Sequence, residues 1–165
     1  MRTFFYFHLL LGLVAFLPLQ GFSQEINDVD ALENVSVGKV LWDITLDDPK
    51  KLTLYLSVIQ ETYEGLIKQD VKPEMVFTFH GGAVKLISTD QERIPLEEQE
   101  DVEKVHQLLT DLQQKTGVKM ESCSIATRLY GIDNKTVLAG IKPVGNTFIS
   151  IIGYNTKGYA VINIH

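Results

Sequence analysis

Apolar positions along this chain change their spacing several times, and each change marks an element. Lys39-Val-Leu-Trp-Asp-Ile-Thr45 is a short run of aliphatic, β-branched and aromatic residues, the pattern of a buried strand. Asp48 then offers an N-cap and Pro49 a first helical residue. From there Leu52, Tyr55, Leu56, Ile59, Tyr63, Leu66 and Ile67 recur at three- and four-residue steps, which predicts a long amphipathic helix. Met75 to Phe79 is a second buried-strand pattern, running into His80-Gly81-Gly82, where a tight loop is expected. Ala83 to Ile87 has room for one helical turn, and Ser88 to Asp101 is a polar connection containing Pro95. The helical period returns at Val102, Val105, Leu108, Leu109 and Leu112, preceded by Glu97, Glu98, Glu100 and Asp101 and stopped by Gly117.

The last third repeats the alternation in shorter pieces. Val118 to Glu121 predicts a strand ending at Ser122-Cys123, Ile125 to Tyr130 a helix closed by Gly131, and Asp133 the cap of a further turn up to Leu138. Ile141 to Val144 is a fourth strand pattern, Asn146 caps a helix to about Asn155, and Tyr159 to Ile164 is the last strand. Strands alternating with helices predict an α/β fold: a three-layer α/β/α domain with a mostly parallel sheet of about five strands. In such sheets the ligand crevice lies beyond the carboxyl ends of the strands. That rule singles out Asp43 and Thr45, His80-Gly81-Gly82, Ser122-Cys123-Ser124, and Gly145-Asn146.

The first residues follow a different pattern. Arg2 precedes an apolar stretch from Phe4 to Leu19, broken by Pro18, and Gly21 and Ser23 suit the −3 and −1 positions of a signal peptidase site. Residues 1–23 are therefore expected to be a cleavable signal peptide, 24–38 a flexible leader, and 39–165 the folded domain. An uncleaved anchor is the alternative, since Phe4 to Phe22 is just long enough to span a bilayer. Cleavage predicts an exported protein, periplasmic or secreted, with nothing left to hold it in a membrane.

Composition narrows the chemistry. The 165 residues carry 15 Lys and Arg against 21 Asp and Glu, a net charge of −6, which argues against nucleic acid as a partner. Removal of the signal takes Arg2 with it, leaving 14 basic residues against 21 acidic ones and an exported product at −7. The single cysteine excludes internal disulfides and Cys-rich metal clusters, and the histidines show neither H-x-H nor H-x-x-x-H spacing, so no metal site is expected. Neither G-x-x-x-x-G-K-[ST] nor G-x-G-x-x-G nor G-x-S-x-G occurs, so no nucleotide or other cofactor and no serine nucleophile is indicated.

Two residues carry what chemistry remains. Cys123, between a strand end and a helix start, is either a thiolate favoured by helix amides or a small buried hydrophobe. His80 is either a proton partner for that thiol, provided that the second and third strands are adjacent, or a loop-bracing imidazole. The sequence of features from Lys39 to Ile164 resembles the DsrE/DsrF-like family, which includes DsrE, DsrF and TusD. The resemblance is carried by Asp48-Pro49 before a long helix, by His80-Gly81-Gly82-Ala-Val-Lys-Leu86, by Cys123-Ser-Ile-Ala-Thr-Arg-Leu-Tyr-Gly-Ile132, and by Lys157-Gly158-Tyr159-Ala-Val-Ile162. Many relatives have Cys-Gly-Asn where this chain has Cys123-Ser124-Ile125. The resemblance implies a five-stranded parallel α/β/α domain, commonly trimeric or hexameric, in which the residue matched by Cys123 carries a persulfide between a donor and an acceptor protein. Cys123 alone takes its role from the resemblance; beside it, His80 and the amides around Ser124 would tune the thiol, with Gly81, Gly82 and Ser124 as ligand-binding positions. The protein would be a sulfur carrier more than a turnover enzyme. The competing expectation is a non-catalytic oligomeric module that binds a ligand or protein while Cys123 only packs.

Overall fold

The computed structural model of the chain describes residues 26–165; the expected signal peptide and the first two residues of the expected leader lie outside the described residues. In chain order the elements are β1 (Val37–Ile44), α1 (Pro49–Lys68), β2 (Lys72–Phe79), α2 (Gln99–Gln113), β3 (Val118–Cys123), α3 (Ser124–Leu129), β4 (Lys142–Val144), α4 (Thr147–Thr156) and β5 (Ala160–Ile164). The five strands are all parallel, in the order β4-β3-β2-β1-β5.

This order dictates which helix covers which face. The steps from β1 to β2, β3 and β4 all move the same way across the sheet, and the step from β4 to β5 returns the whole width. Crossovers between parallel strands are right-handed, so the returning helix must lie on the opposite face from those of the forward steps. Accordingly α1 and α2 pack together on one face, with Leu52, Leu56, Ile59, Val105, Leu109 and Leu112 against Val40, Trp42, Ile44, Met75, Phe77 and Phe79. On the other face α4 crosses β1, β2 and β3. Alternation along the strands turns Leu41, Asp43, Val76, Thr78, Glu121 and Cys123 toward α4.

The start of α1 follows its sequence signals. Asp48 accepts a hydrogen bond from the Lys51 amide (3.0 Å), Pro49 occupies the first turn, and Leu52, Leu56, Ile59 and Tyr63 are buried. Other boundaries move outward. β1 begins at Val37 and not at Lys39, and β2 begins at Lys72, so Pro73 lies inside a central strand. Pro73 is tolerated because Lys72 N–H points to β1, donating to Ser36, so the donor that Pro73 lacks would point toward β3. There β3 pairs only from Met75 onward. The helix expected from Val102 begins at Gln99, and the connection before it holds two short 3-10 turns, Gln91–Arg93 and Leu96–Glu98. His106 of α2 is half-buried, with Nε2 3.0 Å from the Leu86 carbonyl.

On the far face, α4 is anchored by Tyr154, whose hydroxyl donates to Glu121 Oε1 (3.2 Å). Burial and the adjacent Glu121 carboxylate push the phenol up to about 12, so it remains a donor through the neutral range. Upstream of β1 the chain touches the domain at the end of α1, where the Asp28 amide donates to the Gln69 side chain (2.9 Å).

Candidate functional site: a thiol between two helix starts

β2 and β3 are adjacent, with Phe79 paired to Ser122, so His80 and Cys123 occupy the next register position on neighbouring strands. Parallel strands run about 4.8 Å apart, and both side chains fall on the face covered by α4. The sheet thus brings together the two residues singled out above. The first turn of α4 closes over both. The Phe148 ring meets the imidazole edge-to-face, with centroids 5.1 Å apart, and Thr147, one residue earlier, supplies donors at the Cys123 sulfur.

Cys123 is buried, 5% exposed, in a small cluster with Val84, Ala126 and Ile132. Burial alone pushes the thiol up, because it penalises the charged form. Against it act the Thr147 amide, the Ala126 amide, the Thr147 hydroxyl and the Ile125 amide, and together they bring the thiol below its ordinary value. These donors come from the first turns of α3 and α4, where backbone N–H groups have no partner within the helix. The Thr147 hydroxyl is fully buried and completes no hydrogen bond of ordinary geometry with any protein atom.

His80 hydrogen-bonds to Asp43 and not to the thiol. Its Nε2 lies 2.8 Å from Asp43 Oδ1, and the same oxygen accepts from the Thr78 hydroxyl at 2.9 Å. Both side chains of the pair are largely enclosed, 15% exposed for His80 and 17% for Asp43. Burial raises the Asp43 carboxyl, but the hydrogen bond and charge of His80 and the Thr78 hydroxyl lower it further, so it is held below the usual carboxylate range.

The other residues expected in the loop are placed differently. Gly81 has φ +57, the left-handed region, and Gly82 passes so close to Asp47 that a Cβ there would stand 2.6 Å from the Asp47 Cβ. Asp47 in turn pairs with Lys85 at 3.1 Å. The Ser124 hydroxyl accepts from Asn134 Nδ2 (3.1 Å), and its carbonyl accepts from the Thr127 hydroxyl (3.2 Å), so it braces the start of α3. Sequence reading missed the parts played by Thr147, Phe148 and Thr78. Asp43 stood on the crevice list without a role, although a charge inside an apolar strand is itself a signal, because a buried carboxylate requires a donor.

Around the thiol the surface is apolar. Ile125, Leu129 and Tyr130 of the α3 region and Phe148, Ile149 and Ile152 of α4 are all exposed, with Leu129 at 75% and Ile149 at 69%. A cleft of about 660 Å³ lies elsewhere, between the starts of α1 and α2, lined by Asp48, Lys85, Arg93, Glu98 and Asp101 among others, and does not reach Cys123. Among the described residues no group of three or more His, Cys, Asp or Glu is arranged to hold a metal ion, and no helix is long and apolar enough to cross a membrane.

Comparison with known proteins places this geometry in a family context. The model of the DsrE/DsrF-like family matches residues 47–164. Among solved structures, the protein of unknown function MTH1491 from Methanobacterium thermoautotrophicum is similar with a TM-score of 0.55 and 21% identity, over 77% of this chain and 99% of that one. The ychN protein from E. coli is similar with a TM-score of 0.55 and 15% identity, over 76% and 99%. At these identities the two structures speak for the fold. No curated protein matches the chain.

Proposed function

The chain belongs to the DsrE/DsrF-like family, and we propose that it is an exported sulfur carrier that takes up a sulfane sulfur on Cys123 and passes it to a partner protein. One observation carries the reading: the only thiol of the chain is ringed by donors from two helix starts that favour its thiolate. A packing cysteine gains nothing from such donors, whereas a nucleophilic or leaving sulfur does. The reaction is an exchange without net oxidation. The Cys123 thiolate attacks the outer sulfur of a donor persulfide, a new S–S bond forms at Cys123, the donor's S–S bond breaks, and the donor leaves as a thiolate that regains the proton given up by Cys123. Delivery runs the same steps with the acceptor thiol as nucleophile. His80 is the residue beside the thiol that can hold the proton between these steps.

Support for a homo-oligomer, trimeric or hexameric by family resemblance, comes from the exposed large apolar side chains of α3 and α4, among them Leu129, Phe148, Ile149 and Ile152. Export rests on the signal-like pattern of residues 1–23. A second reading is favoured by one observation: at 5% exposure among Val84, Ala126 and Ile132, Cys123 has the surroundings of a packing residue in a binding module.

Intact mass of the native protein before and after incubation with polysulfide separates the two. The carrier reading expects an added mass of about 32 Da, one sulfur atom, removed by a thiol reductant and absent from Cys123→Ala. A native protein that gains no sulfur and resists alkylation at neutral pH is a binding module instead.

A further inference from the structure

We propose that Asp43 is a positioning residue for sulfur transfer at Cys123, holding the His80 imidazole through Nε2 so that Nδ1 is the nitrogen left to exchange a proton with sulfur. The inference rests on the carrier reading above and adds to it a residue and a role.

The geometry is that of a three-part relay laid across three adjacent strands. Asp43 is on β1, His80 immediately follows β2 and Cys123 ends β3, with all three on the face covered by α4. The carboxylate oxygen 2.8 Å from Nε2 also accepts from Thr78 at 2.9 Å, which fixes the carboxylate before it fixes the imidazole. Phe148 closes the other side of the ring at 5.1 Å. An imidazole that only braced a loop would have no need of an enclosed carboxylate, which is costly to bury and is kept where it sets a tautomer. A carboxylate accepts and cannot donate, so Nε2 carries the proton and Nδ1 is the basic nitrogen.

A second observation marks the place as a ligand site independently of the cysteine. The Thr147 hydroxyl, fully buried beside the thiol, completes no hydrogen bond of ordinary geometry in the resting protein, and a bound sulfur anion would give it one. The resting structure has no His80–Cys123 hydrogen bond, which is common before the reacting group arrives. In the step itself Nδ1 takes the Cys123 proton as the thiolate attacks the persulfide, and returns it to the departing thiolate. Overall a thiol and a persulfide become a persulfide and a thiol, with no proton or electron left over.

Few other charges face this imidazole. β1 contributes Asp43, β3 contributes Cys123 and, one row back, Glu121, which accepts from the Tyr154 hydroxyl of α4 at 3.2 Å, and the α4 residue against the ring is Phe148. In the loop after β2, Lys85 is engaged by Asp47 at 3.1 Å. His165 follows β5, on the far side of β1.

The test compares the full mature chain with Asp43→Asn, Asp43→Glu and His80→Gln, using glutathione persulfide as the probe and intact mass to time sulfur loading at several pH values. Asp43→Asn and His80→Gln are expected to load at least about tenfold more slowly, by the usual scale of lost acid–base assistance. Both should also flatten the pH dependence, and Asp43→Glu should restore part of the rate. Nitrogen-15 spectra of His80 should show an Nε2–H tautomer in the unaltered protein and a mixture in Asp43→Asn, as expected when an amide replaces the orienting carboxylate. If the unaltered protein loads and Asp43→Asn loads at the same rate, the inference is overturned while the carrier reading stands. If the unaltered protein does not load, the carrier reading fails and takes this inference with it. Should Asp43→Asn not fold, an Nδ1–H tautomer in the unaltered protein overturns the inference by itself.

Discussion

Replacing Thr147 by Val removes one hydroxyl, keeps a β-branched side chain of nearly the same volume, and should move reactivity and stability in opposite directions. The hydroxyl is one of the donors that favour the Cys123 thiolate, yet it completes no hydrogen bond of ordinary geometry in the resting protein. A hydrogen bond to a charged group is worth about 1.5–3 kcal/mol, and sulfur is a weak acceptor, so the lower end applies. Losing this donor, Thr147→Val should raise the thiol toward its ordinary value. Leaving a hydroxyl buried without a partner costs about 1–3 kcal/mol in proteins. The variant should therefore gain about 1 kcal/mol in mildly acidic solution, where the thiol is neutral, which is about 4 °C in Tm for a domain of this size. The sign at higher pH follows from linkage. A thiol whose folded pKa is depressed contributes stability that is present above its unfolded pKa and fades as pH falls through the folded one. Weakening that depression removes the alkaline contribution, so the gain should shrink as pH rises. Iodoacetamide alkylation of Cys123 as a function of pH reports the first effect, and calorimetry at an acidic and an alkaline pH the second. An unmoved alkylation midpoint, or a variant that is less stable in acid, would refute the reasoning that this hydroxyl is reserved for a charged sulfur.

Gly82→Ala should destabilise the domain by about 1–3 kcal/mol, the usual cost of overpacking, because its Cβ would stand 2.6 Å from the Asp47 Cβ. Urea melts would read it, and an additional Asp47→Gly change should recover most of the loss. Substituting both Ile149 and Ile152 by Asp puts charges into the exposed apolar face of α4. Light scattering after size exclusion should then show smaller particles than the unaltered protein with little change in monomer helicity, and an unaltered mass would remove this face from the proposed oligomer.

The fold was legible to a large degree because a parallel sheet covered on both faces leaves compact apolar runs, and helices between such runs leave a three-to-four-residue period. Met75 to Phe79 falls on a strand, Lys39 to Thr45 and Tyr159 to Ile164 do so but for Thr45 and Tyr159 at their edges, and the helices open at Asp48-Pro49 and Asn146 where their caps predict. Edges that carry no apolar residue, such as Gln99 to Asp101 at the start of α2, are decided by packing and capping and not by hydropathy. Strand order is a different matter. Nothing in the chain states that β5 lies beside β1, yet that return crossover is what brings α4 across the sheet and Thr147 to Cys123. The thiol and the histidine could be found by type and by position at strand ends. The Ile125 and Ala126 amides follow from the helix start after Cys123, but Thr147 could not be found, because it looks like any residue after a cap.

That α4 is, among the described residues, the only long helix on its face gives the site an unusual dependence. Thr147 gives the thiol donors that favour its charged form, Phe148 meets the histidine's ring, and both are first-turn residues of one ten-residue helix. Ile149 and Ile152, on the same turn and the next, are the residues that the proposed oligomer would bury. A helix rises 1.5 Å per residue, so the interface and the thiol lie only a few ångströms apart along its axis. A displacement of α4 large enough to break packing with a neighbouring copy would thus also withdraw a donor from the sulfur. In an oligomer held through this face, the thiol and its proton partner would be tuned most fully in the assembled state. The Ile149→Asp, Ile152→Asp variant should then load sulfur more slowly although neither residue contacts the thiol, and loading at the unaltered rate by a dissociated variant would separate assembly from chemistry.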